Sequence, residues 1–310
     1  MQNILDTIGN TPLIKIEKLG PNPDVKIFAK LEGCNPTGSI KDRIALAMIE
    51  KAEKQGILVK GKTIIGPTSG NTGISFAMVA AIKGYKLIIV MPESMSTERR
   101  QMIKAFGAEL ILVKPEDWRD AAIKFTKALV EKDSNLVLLN QFENEANFQS
   151  HYETTGKEIL EQMNGEKIEY LVAGLGTGGT ITGIAKRLKE KYPEIKIIGV
   201  QPELGSKIEG LKSIKEGYVP PVMNLKIINE IIEVDQKQAF ESTRELAQRE
   251  GIFAGPSSGT ALFVGNDSVS NTRRAVLFFD VAGMLPSDAV IESVELWVHV
   301  SSVGTPDART

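Results

Sequence analysis

One cysteine, Cys34, occurs in 310 residues. That excludes an internal disulfide and a cysteine-built metal cage, and it fits a reducing compartment, the cytoplasm. Histidine is nearly as scarce, with only His151 and His299, so Ser-His triads and histidine metal sites have little to draw on and no metal is expected. Long apolar runs are missing: nothing reaches the roughly 18 residues of a membrane span. The opening Met1-Gln2-Asn3-Ile4-Leu5-Asp6 has no basic and apolar blocks of an export signal. Charge of one sign is missing too. The 37 basic and 39 acidic residues are well mixed and leave a net charge of −2, so no field draws the chain to nucleic acid or an acidic membrane. Low-complexity segments and solenoid repeats are absent. Small-molecule chemistry is what remains.

What is present is a large core: 42% of the residues are hydrophobic, enough for two domains. Strand-like runs alternate with helical spacing. Strands are expected at 25–31, 63–66, 85–90, 108–113 and 136–139, with helices from Ile40 to near Gly56 and at 74–80, 97–106 and 118–131. A second series has helices at 151–163, 181–191 and 239–250 and strands at 170–173 and 195–200, with a loop-rich span after Glu203. Strand, turn, helix in repetition predicts an α/β fold with mostly parallel sheets flanked by helices.

The chain is organised around Gly33-Cys34-Asn35-Pro36-Thr37-Gly38-Ser39-Ile40-Lys41-Asp42-Arg43, where turn formers give way to a helix. Ser39 and Asp42 have the form of a capping box. Lys41 falls in the first turn, where the positive end of the helix dipole disfavours an ammonium, so the position suits a Schiff base with a carbonyl compound. A surface lysine near a helix start is the plain alternative. Gly174-Leu175-Gly176-Thr177-Gly178-Gly179-Thr180 lies between a strand and a helix and offers freed backbone N–H groups to a phosphate. It also satisfies G-x-G-x-x-G, with Glu203 about where a dinucleotide-binding unit keeps its ribose acid, so an NAD-dependent dehydrogenase is a rival reading. Thr68-Ser69-Gly70-Asn71-Thr72-Gly73 is a second anion cradle at a helix head, suited to a carboxylate, or an ordinary helix cap. Gly255-Pro256-Ser257-Ser258-Gly259 is a third turn offering hydroxyls.

A lysine suited to imine formation, a phosphate cradle and a carboxylate cradle together describe pyridoxal 5'-phosphate with an amino-acid substrate. Residues 35–43, 68–73, 140–142, 176–180 and 255–259 resemble, in order, the motifs of the cysteine synthase (O-acetylserine sulfhydrylase) family, fold-type II pyridoxal-phosphate enzymes. Residues 200–203 and 247–259 look closer to its B-type isozyme. The resemblance covers residues 1–263. It implies a tryptophan synthase β-like fold. A larger cofactor-phosphate-binding domain would take residues 1–40 and 146–263, and a smaller, mobile domain holding the substrate carboxylate would take 41–145.

By that resemblance Lys41 would carry the cofactor and then handle the α-proton. Gly176, Thr177, Gly178, Gly179 and Thr180 would hold the phosphate, Asn71 the cofactor's ring oxygen and Ser257 the pyridine nitrogen. Thr68, Ser69, Thr72 and Gln141 would take the substrate carboxylate. The reaction implied is a β-replacement that turns O-acetylserine and sulfide into L-cysteine through an aminoacrylate, by a homodimeric, cytoplasmic enzyme. O-phosphoserine use, with Lys212 meeting the substrate phosphate, stays open, as do cystathionine β-synthase and serine/threonine dehydratase chemistry.

Residues 264–310 do not match. The family's long helix looks truncated at the polar stretch 264–271, and no P-x-x-G-[ED]-R-Y motif follows. Residues 275–281 and 294–300 read as strands of a β-hairpin. This tail is either a foreign segment or a divergent ending in which residues 275–280 fill the missing strand's place. Either way the larger sheet is expected to lose its familiar edge, and a cofactor-binding but inactive protein is a further alternative.

Overall fold

The computed structural model describes residues 3–20, 25–68, 70–114, 118–268 and 274–279, with the backbone alone described at 118–121, 264–268 and 274–279. In chain order the elements are β1 (Leu13–Ile16), β2 (Lys26–Leu31), α1 (Lys41–Lys54), β3 (Thr63–Pro67), α2 (Asn71–Lys83), β4 (Lys86–Pro92), α3 (Thr97–Ala105), β5 (Glu109–Val113), α4 (Trp118–Lys132) and β6 (Leu136–Leu138). They continue with α5 (Ala146–Ser150), a π-helical turn (His151–Thr155), α6 (Gly156–Gln162), β7 (Tyr170–Gly174), α7 (Gly179–Lys191), β8 (Lys196–Pro202), β9 (Glu230–Val234), α8 (Gln236–Glu250), α9 (Pro256–Ser268) and β10 (Arg274–Phe279).

Two sheets result, in the order β1-β2-β10-β7-β8-β9 and β5-β4-β3-β6. Every pairing is parallel except that of β1 with β2. Parallel strands need both faces covered, and the core divides accordingly. In β7, Leu171 and Ala173 pack with Ile181, Ile184 and Leu188 of α7, while Val172 between them packs with Leu246 of α8 and Leu262 of α9. In β4, Ile89 and Met91 join Met48 of α1 and Phe76 of α2, while Val90 joins Ala122 of α4. This period of two turns a continuous apolar run into two buried faces. Ile181, Ile184, Ala185 and Leu188, all 0% exposed, form the matching apolar stripe of α7.

Three expectations change. The span after Glu203 holds β9, an edge strand of the larger sheet, whose alternation is hidden by Glu230 and Glu233. The polar stretch from 264 does not cut the helix short, since α9 runs to Ser268. The larger sheet also takes in a strand from the tail. β10 lies inside it, Leu277 in register with both Ala29 of β2 and Val172 of β7. With both of its edges paired, β10 is an interior strand. Residues 294–300, the expected second strand of the tail, lie outside the described residues.

Candidate active site

α1 enters differently from its sequence signature. The residue before its first turn is Ile40, with no side-chain cap, and Ser39 Oγ accepts from Lys41 N–H at 3.2 Å. Asp42 faces away from Ser39. Its carboxylate accepts from Thr37 N–H at 2.8 Å, from Ser75 Oγ at 2.6 Å and from the Thr37 hydroxyl. Burial pushes the Asp42 carboxyl up, against these hydrogen bonds. The expected capping box is therefore absent, because Asp42 finds better donors in the loop before α1 and on α2.

Beside it Arg43 anchors the turn. Its guanidinium donates to Glu32 through Nε at 2.7 Å and Nη2 at 2.8 Å, and to Glu158 through Nη1 at 2.6 Å and Nη2 at 2.8 Å. Lys30 Nζ, 0% exposed, lies 2.7 Å from the same Glu158. Two cations and two carboxylates thus neutralise one another inside the protein, as buried charges must. Burial pushes the Glu158 carboxyl up, but Arg43 and Lys30 outweigh it and hold it at about 2. The network ties the first turn of α1, and with it Lys41, to the end of β2 and to α6.

Lys41 lines a cleft of about 60 Å³ together with Gly176, Thr177, Gly178, Thr180 and Ser257. Gly174, Gly210, Leu211 and Glu32 also line it, with Ile40 and Ala173, and spacing alone pointed to none of Gly210, Leu211 and Glu32. Gly178 sits at φ +80°, and a Cβ there would strike Met223 at 2.4 Å, so only glycine makes this turn. α7 begins at Gly179; the Gly179 N–H donates to Thr177 Oγ1 at 3.3 Å, and the helix start behind this turn is suited to an anion.

The second cradle stands apart from these lining residues. α2 starts at Asn71 after Gly70, again with no side-chain cap. Thr72 Oγ1 donates to Gln141 Oε1 at 2.7 Å, so two residues from separate motifs meet. Thr68 is buried and its Oγ1 accepts from Gly70 N–H at 3.4 Å; Ser69 lies outside the described residues. Two further residues complete the neighbourhood. Asn147 donates through Nδ2 to Gln141 O at 2.7 Å and to Thr177 Oγ1 at 3.1 Å. His151 is 1% exposed, with Nδ1 3.0 Å from Thr155 Oγ1 and Nε2 3.2 Å from Thr180 Oγ1. Burial first, then the charges of Arg43 and Lys41, push its pKa well down, so the ring is neutral.

A primary amine, an anion cradle at a helix start and a hydroxyl across the cleft suit an aldehyde cofactor bearing a phosphate ester. Comparison with known proteins agrees. Residues 4–277 match the family described as pyridoxal-phosphate dependent enzyme, and the chain belongs to that family. Among its relatives is the cysteine synthase of a Flavobacterium species, 50% identical over 289 residues, covering 89% of this chain and 94% of that one. Cysteine synthase B of Salmonella typhimurium is 47% identical over 262 residues, covering 84% and 86%. The crystal structure of an O-ureido-L-serine synthase superposes with a TM-score of 0.86 at 34% identity, covering 91% and 92%. The matched region runs past Phe263 into β10. Family membership also answers the dehydrogenase rival: the glycine turn belongs to a pyridoxal-phosphate enzyme.

Proposed function

We propose that this enzyme makes L-cysteine from O-acetyl-L-serine and sulfide, replacing the acetoxy group on the substrate's β-carbon with a thiol. The observation that carries it is the cleft in which Lys41, the 176–180 turn and Ser257 meet from three separate motifs. When bound, pyridoxal 5'-phosphate supplies the electron sink that allows the α-proton and the β-leaving group to depart. Lys41 Nζ is the covalent attachment point and the group that takes the α-proton. Backbone N–H groups of the 176–180 turn, Gly176 and Gly178 among them, with the Thr177 and Thr180 hydroxyls, hold the phosphate, while Gly179 shapes the turn and donates its own N–H to Thr177 Oγ1. Ser257 would offer the cofactor's ring nitrogen a neutral hydroxyl, which would favour elimination over transamination because it does not enforce a ring proton. The Asn71 amide would hold the cofactor's ring oxygen.

Thr68, Ser69, Thr72 and Gln141 take the substrate carboxylate. The Thr72–Gln141 hydrogen bond would then be exchanged for bonds to the substrate. Residues 41–145 would move as a smaller domain over the bound amino acid, excluding water, against a larger domain of 1–40 and 146–263. The working form is a cytoplasmic homodimer.

Borohydride reduction followed by peptide mapping tests the central residue: the expected pyridoxyl label is on Lys41, and a label elsewhere overturns the assignment. A spectroscopic titration tests the reaction. O-acetyl-L-serine should change the cofactor's colour and sulfide should restore it. A response confined to O-phosphoserine, or to serine with homocysteine, would replace this substrate assignment.

A further inference from the structure

Asn147 is 1% exposed and stands behind the cleft rather than in its wall. Its orientation is fixed by chemistry: the Gln141 carbonyl 2.7 Å away can only accept, so the atom facing it is Nδ2. The same Nδ2 donates to Thr177 Oγ1 at 3.1 Å, and Gly179 N–H donates to that oxygen at 3.3 Å. A hydroxyl has two acceptor positions and one proton. Both acceptor positions of Thr177 are filled from behind, and its proton meets no acceptor among the described residues. Thr177 lines the cleft, so the proton is left for whatever anion sits there. Asn147 Oδ1 has no hydrogen-bond partner among the described residues. It rests against Gly179, where an added Cβ would come within 1.9 Å of it.

We infer that Asn147 is a positioning residue that makes Thr177 an obligatory hydrogen-bond donor toward a bound phosphate ester. This rests on the assignment of the 176–180 turn as the phosphate cradle. The same amide holds the carbonyl of Gln141, whose side chain accepts from Thr72. One buried residue therefore braces both cradles, and its effect on the phosphate runs through a single hydroxyl.

Two probes separate this from a merely structural role: pyridoxal 5'-phosphate, and pyridoxal, which lacks the phosphate. Their dissociation constants are measured by absorbance on protein stripped of cofactor, for wild type, Asn147→Ala, Thr177→Val and the double variant. Wild type should prefer the phosphorylated form. Asn147→Ala should weaken that form about tenfold while leaving pyridoxal unchanged, the loss of one charge-assisted hydrogen bond. The double variant should be no weaker than Thr177→Val alone. Equal weakening of both probes, an undiminished preference in Asn147→Ala, or additive losses would each overturn the inference. A wild type with no preference for the phosphate would instead sink the cradle assignment beneath it. If Asn147→Ala does not fold, the near-isosteric Asn147→Leu serves, since it keeps the volume and donates nothing, and it carries the same expected and overturning results.

Discussion

Replacing Arg43 by alanine removes the donor that the buried Glu32 and the half-buried Glu158 share. Glu32 has a side chain 0% exposed and Glu158 one 14% exposed, so water replaces the guanidinium poorly, least of all at Glu32. Glu158 shows the direction: Arg43 and Lys30 together hold its carboxyl at about 2 against a usual 4.5, so only part of that shift goes with Arg43. The size follows from the stranded charge, since breaking one side of a buried ion pair costs about 3–5 kcal/mol. Arg43→Ala should therefore lower the stability of the folded chain by about 3–4 kcal/mol at neutral pH, measured by urea unfolding. Adding Glu32→Gln should recover at least about 1 kcal/mol by removing the stranded charge. The depressed carboxyl also fixes the pH dependence. Its contribution is complete above the usual value of 4.5 and is lost as the pH falls toward about 2. In Arg43→Ala that acid limb should flatten. A loss below about 1 kcal/mol, or no recovery with Glu32→Gln, would refute the claim that this guanidinium compensates both carboxylates.

Gly179→Ala places a methyl group 1.9 Å from Asn147 Oδ1; overpacking should cost about 1–3 kcal/mol and weaken cofactor retention, read by absorbance after dialysis. His151 is buried and neutral, its pKa below the usual 6.5, so the unfolded chain binds the extra proton and stability should fall as the pH drops through 6.5. Urea midpoints between about pH 7 and 5 should show this slope in wild type and a shallower one in His151→Gln. Leu277→Pro removes an N–H from a strand paired on both sides; it should cost about 3 kcal/mol or more and yield insoluble protein on expression. Thr72→Val should raise KM for O-acetyl-L-serine about tenfold with a smaller change in kcat, checked by steady-state kinetics.

The alternation of apolar strands and helices over 60–140 was legible because parallel strands are buried on both faces and read as continuous apolar runs, such as residues 87–91. β9 escaped this reading, since an edge strand of five residues with charges at positions 230 and 233 looks like a loop. The glycine and threonine turns could be read because their chemistry is local: φ +80° at Gly178 needs no distant partner. Asp42, Asn147 and His151 could not. Asp42 is bound by Ser75, Asn147 by Thr177 and His151 by Thr180, contacts about 30 positions apart that no spacing rule anticipates. The strand at 274–279 was visible as a strand, but its place between β2 and β7 depends on pairing with residues more than 100 positions away.

The position of β10 has a consequence for synthesis. The four-stranded sheet draws on residues 63–138 alone and is complete long before a ribosome reaches the end of the message. The six-stranded sheet cannot close in that order. Among the described residues its third strand in space is its last in sequence, so β2 and β7 leave the exit tunnel with facing edges unsatisfied until residues 274–279 have followed. Unsatisfied edges recruit other chains. A nascent polypeptide stalled before residue 274 therefore leaves both of those edges open, and a chaperone that shields the gap between the two strands would cover them.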